Sequence, residues 1–77
     1  MRLFMHIRDG DTLIEDPEGS EFPNLAAAQQ EAFVAAREIL ANALLSNQVI
    51  DGQEFEITDE HGVIVMRVPL RSAMRTA

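Results

Sequence analysis

Seventy-seven residues make one small domain, a size at which only about 60% of the surface exposed by the unfolded chain is buried and a deep catalytic cavity has little room. The chain has no cysteine, which excludes disulfide staples, thiol chemistry and thiolate zinc sites, and fits a reducing compartment. A net charge of −7 with a pI near 4.5 disfavours a nucleic-acid partner, because phosphate binding needs a basic stripe.

The N-terminus begins as a strand and lacks the basic, apolar, small-residue layout of a signal peptide. No apolar run approaches the ~20 residues of a membrane span, so a soluble, cytoplasmic protein without a membrane partner is expected. Leu3, Met5 and Ile7 alternate with Arg2, Phe4, His6 and Arg8, the period-two pattern of a strand. Asp9-Gly10 predicts a type I′ turn, and residues 11–15 return as a second strand with Leu13 or Ile14 inward. Asp16-Pro17-Glu18-Gly19 breaks that strand, and a turn-rich loop is expected to reach Pro23.

Asn24 is a good N-cap, and residues 25–46 contain neither glycine nor proline. Steps of roughly 100° put Leu25, Ala28, Ala32, Ala36, Ile39, Leu40 and Ala43 on one helix face, with Phe33 and Leu44 at its margin. The small alanines let the helix lie close to a sheet, and the larger side chains at both ends are expected to clamp it. Glu31, Glu38 and Asn42 point away. Val34 and Leu45 fall on the opposite side, as isolated surface apolars or as the edge of a second contact.

Phe55 and Ile57 alternate with Glu54, Glu56 and Thr58 as a third strand, residues 59–62 turn, and residues 63–70 return as a fourth. Pro69 cannot donate to a ladder, which places it on an edge or where pairing stops. Residues 71–77 read as a loose tail on a single domain with its core over 3–70. The expected fold is α+β, in ββαββ order: a four-stranded antiparallel sheet with one long helix packed on one face. One helix covers one face only. If Leu3, Met5, Ile7, Ile64, Met66 and Val68 point at the helix, the other face carries Phe4, His6, Val63 and Val65, and an open face of that character predicts a homodimer.

No residue pattern specifies a reaction, a metal or a cofactor. His6, Arg8, Asp9 and Asp11 could serve as a base, an anion clamp and a carboxylate orienter. The simpler reading is a packed or surface histidine beside a cross-turn ion pair of Arg8 with Asp9 and Asp11, worth under ~1 kcal/mol. The acidic set Asp9, Asp11, Glu15, Asp16, Glu18 and Glu21 lacks calcium-loop spacing, since Leu13 and Ile14 interrupt it. Asp59-Glu60-His61-Gly62 is an ordinary turn without zinc-ligand spacing. The glycines are isolated, Ser20, Ser46 and Ser72 lie at a loop, a helix end and the tail, and without tryptophan or tyrosine there is no aromatic platform for bases.

Phe-Met-His-Ile-Arg-Asp-Gly near the start, Glu-Asp-Pro-Glu-Gly-Ser-Glu-Phe-Pro-Asn-Leu before an alanine-rich helix, Phe-Glu-Ile-Thr-Asp-Glu-His-Gly and Val-Pro-Leu together resemble a family of short bacterial proteins, a domain of unknown function. Its members open with aromatic-x-His-aliphatic-Arg-Asp-Gly and close with a Val-Pro-aromatic ending, where this chain has Leu70. The resemblance spans residues 3–70 and implies an independent domain; it implies no activity. The expected function is a non-enzymatic interaction module that self-associates, with partner or ligand contacts at Phe4, His6, Arg8, Asp11, Val63 and Val65. The alternatives are an acidic, antitoxin-like regulator of a basic protein and a small ligand binder or enzyme using His6 and Arg8.

Overall fold

The computed structural model describes residues 1–74. The elements are β1 (Arg2–Asp9), β2 (Thr12–Ile14), β3 (Ser20–Glu21), α1 (Leu25–Leu45), β4 (Glu54–Thr58), β5 (Ile64–Pro69) and a 3-10 helix, Leu70–Met74. The strands form an antiparallel sheet in the order β2-β1-β4-β5, with β3 also on β1. The α+β architecture is the expected one, with five strands in place of four.

The additional strand arises because the outer edge of β1 is paired twice. Ile14 and Thr12 face Ile7 and Asp9, while Glu21 and Ser20 face Arg2 and Leu3, so residues 15–19 loop out beside the middle of β1. Ser20 and Glu21 carry no strand signal of their own. They are held by the chain start: the Phe22 N–H donates to the Met1 carbonyl at 2.8 Å, and the N-terminal amine donates to the Phe22 carbonyl at 2.7 Å. The first turn also differs from expectation. Asp9 pairs with Thr12, which leaves Gly10-Asp11 as the two-residue loop, and the positive φ falls on Gly10 at 61°. That is the type II′ pattern, since the glycine takes the first central position.

Asn24 caps α1 as predicted, its Oδ1 accepting from the Ala27 N–H at 2.8 Å. At the other end Asn47 adopts a left-handed φ of 56°. The Gln48 N–H then donates to the Ala43 carbonyl at 2.8 Å and the Asn47 N–H to the Leu44 carbonyl at 3.3 Å, a Schellman stop with asparagine in glycine's usual place.

Leu3 of β1, Phe55 and Ile57 of β4, Val68 of β5, Leu70 and the alanines 28, 32 and 36 form the core. Those three alanines are fully buried, which brings the helix onto the sheet. The predicted clamp is partial: Phe33 and Ile39 pack against the core, whereas Leu25 and Leu44 are exposed. A helix of 21 residues runs ~32 Å, whereas β1 with 8 residues runs ~26 Å. In the last turn of α1 Ala43 stays buried, whereas Leu44 and Leu45 are exposed.

The chain does not loosen at Arg71. Pro69 ends the β5 ladder opposite Glu54, the Leu70 N–H donates to the Gln53 carbonyl at 3.0 Å, and the 3-10 helix packs on α1 with Leu70 buried and Ala73 against the core. The rest of the predicted tail, residues 75–77, lies outside the described residues. No helix among the described residues is long and apolar enough to cross a membrane.

Candidate functional site

Strand alternation directs Leu3, Met5, Ile7, Phe55, Ile57, Met66 and Val68 toward the helix and leaves a second face uncovered. The register arranges that face in three rows: Phe4, Thr58 and Ile64; then His6, Glu56 and Arg67; then Arg8, Glu54 and Pro69. Phe4, His6 and Arg8 are brought together as the sequence predicts.

His6 is held at both ring nitrogens. The Asp16 N–H donates to Nδ1 at 3.0 Å, and Nε2 lies 3.1 Å from the Thr58 hydroxyl. An Nδ1 that accepts must be unprotonated, so this pairing assigns the Nε2–H tautomer, with Nε2 donating to Thr58. The Phe4 ring stacks alongside, with centroids 6.2 Å apart and planes 8° from parallel.

Asp16 organises the loop that reaches His6. Its Oδ2 accepts from the Met5 N–H at 3.1 Å, and its Oδ1 from the N–H groups of Gly19 at 3.2 Å and Glu18 at 3.4 Å. Burial pushes the carboxyl up, but these backbone donors outweigh it and hold Asp16 below the usual carboxylate value. Gly19 sits at φ 70°, with Leu3 oxygen and the Phe4 ring 2.9 Å from where a Cβ would be. The loop can lie against β1 only because that atom is missing.

Glu56 is 6% exposed although no element covers its face. Arginines shield it: Arg8 Nε donates to Oε2 at 2.9 Å, and Arg67 Nη1 stands 3.6 Å from the same oxygen and 3.2 Å from Glu54. The Arg8 hydrogen bond holds the Glu56 carboxyl low against the opposing pull of burial, with Arg67 adding to the effect. It also raises the Arg8 guanidinium. The expected cross-turn pair of Arg8 with Asp9 and Asp11 is therefore replaced by a pair across the strands, because Glu56 projects from the neighbouring strand on the same face as Arg8.

Asp11 stands exposed on the hairpin tip, next to the Arg8 row. Val63 is exposed in the β4–β5 turn, where Asp59 Oδ1 accepts from the N–H groups of His61 and Val63. These bonds, Val63's first, hold the Asp59 carboxyl below its usual value. The fourth-strand register departs from expectation by one residue at its start. A bulge opposite Ile57 and Thr58 makes Val65 the extra residue, so Ile64 takes the place in Phe4's row. Val65 lines a concavity of about 340 Å³ with Leu3, Leu25, Asp59 and His61 among its walls.

Sequence reasoning missed Asp16, Glu54, Glu56, Thr58 and Arg67 as members of this face. The alternation of Glu54, Glu56 and Thr58 with inward Phe55 and Ile57 carried the signal for three of them. Asp16 had none beyond its place in a turn. Among the described residues no three His, Asp or Glu side chains converge as metal ligands do.

A family model for a domain of unknown function, DUF6894, matches residues 2–71, and the chain belongs to that family. No curated protein and no solved structure matches it.

Proposed function

We propose that this chain is a small non-enzymatic protein-interaction module that self-associates, with the sheet face opposite α1 as its contact surface. The observation that carries this reading is the one-sided covering of the sheet: α1 packs on one face, and the other carries Ile64 at 40% exposure beside Phe4. The paired Phe4 and His6 rings supply flat surface beside that aliphatic side chain, and Arg8 and Arg67 form a polar border, the composition that protein contacts favour. The polar atoms of His6 and Glu56 are engaged by Asp16, Thr58, Arg8 and Arg67, an arrangement better suited to rigid contact than to proton transfer.

Sedimentation tests this directly. The wild-type chain is expected to self-associate at high micromolar concentration, and Ile64→Glu, which places a charge in the contact, to sediment with a lower mass and unchanged circular dichroism. A wild-type monomer over the same range contradicts the reading.

A second reading is favoured by the outer sheet edge. Asp11, Glu15, Glu18 and Glu21 are all exposed along it, a surface to which a basic protein would be steered. A complex of that kind dissociates as salt is raised; recovery of partners indifferent to salt counts against it.

A further inference from the structure

We infer that the C-terminal end of α1 is a second contact between copies of this chain, formed by an apolar ridge set beside an apolar groove. The ridge is Leu44, Leu45 and Val49, at 80%, 85% and 82% exposure. The groove, about 320 Å³, is lined by Leu40, Ala41, Ala43, Leu44, Gln48 and Ile50. Both follow from local structure: Leu44 and Leu45 stand exposed on the last helical turn, and the Schellman stop at Asn47 sets Gln48 and Ile50 beside Leu40, Ala43 and Leu44.

Charge and shape select the occupant. Residues 39–50 contain no charged side chain between Glu38 and Asp51, in a chain of net charge −7. Two acidic copies repel where their charged surfaces meet, and least at a neutral one. The same neutrality offers nothing to attract a basic partner. Ridge and groove share one surface, so a two-fold axis sends each copy's ridge into the other's groove and buries both at once. Exposed Asn42, Ser46 and Asn47 surround the apolar centre as an uncharged hydrogen-bonding rim. The inference rests on the reading that the chain self-associates, and is independent of the sheet face being a contact.

Because the chain lacks cysteine, single introduced thiols report proximity. Under mild oxidation of the full chain, Leu45→Cys or Asn42→Cys is expected to form covalent dimers at least about tenfold faster than Gln29→Cys, an exposed position elsewhere on α1, since association raises the effective thiol concentration. Adding Leu44→Glu is expected to return the rate to that control with circular dichroism unchanged. The rate is expected to persist in an Ile64→Glu background. Rates at both positions no higher than the Gln29→Cys control overturn the proposal, as does a rate lost with Ile64→Glu or one indifferent to Leu44→Glu. Failure of the sheet-face reading is seen separately, as a sedimentation mass that Ile64→Glu leaves unchanged.

Discussion

At the scale of single residues, the histidine and arginine near the N-terminus are fixed by groups distant in the chain. His6 and Thr58 are 52 residues apart, Arg8 and Glu56 48, and His6 and Asp16 10. Gly19 is the position on which the loop depends most. Gly19→Ala combines a left-handed φ with a Cβ clash against the Leu3 carbonyl and Phe4, and is expected to cost about 1–3 kcal/mol in urea unfolding. Gly52→Ala, with φ 83° but open space around it, is expected to cost less; equal costs would show that the loop does not press on β1. Acid tests the carboxylates. Asp16, Glu56 and Asp59 are all held below their ordinary values, so the unfolded chain binds protons more readily than the folded one. Their stabilisation is complete above the unfolded value of about 4 and is lost as pH falls through the lower folded values. The urea midpoint is therefore expected to drop on acidification below that value, and Asp16→Asn to flatten part of the slope; a midpoint that rises contradicts the assignment. The shared face of His6 and Arg8 was legible from alternation. Their partners were not, because a period-two pattern gives a residue's side but not the strand that will lie beside it.

At the scale of elements, α1, β1 and β4 were legible because each shows its own period, and the helix announces its start at Asn24. Asn24→Ala removes the Ala27 bond and is expected to lower stability by about 1 kcal/mol, with Asn24→Ser restoring most of it in thermal or urea unfolding; an Ala variant as stable as wild type contradicts the capping role. What could not be read were the two short pieces held from outside. β3, at two residues, exists because Met1 and Arg2 hold Phe22 and Glu21. The 3-10 helix forms because Leu70 enters the core under α1, where composition alone suggested a loose tail. The sheet edges carry a further consequence. β5 is interrupted by its Val65 bulge and closed by Pro69, while the opposite edge is broken by residues 15–19. Both devices discourage strand-to-strand pairing between molecules, which leaves a face or a helix end as the route to association.

At the scale of the molecule, the extents of 36 × 31 × 17 Å describe one helical layer on one sheet. Among the described residues the thin dimension holds no third layer, since packed layers lie about 10 Å apart. The sequence predicted this asymmetry and the place of Phe4 and His6 on the uncovered side, but not that Ile64 stands there in place of Val65, nor how that side is dressed. Its centre is a buried glutamate between arginines, and its exposed aliphatic side chain, Ile64, lies at the Phe4 end. Contact between copies is accordingly expected to centre on Phe4 and Ile64, away from the charged row. The most direct measurement is an NMR dilution series on the full chain, from millimolar to low micromolar concentration, following every backbone amide. The account predicts concentration-dependent shifts clustered at those residues and their neighbours, abolished there by Ile64→Glu. Amide positions on that face that do not move with concentration would contradict it.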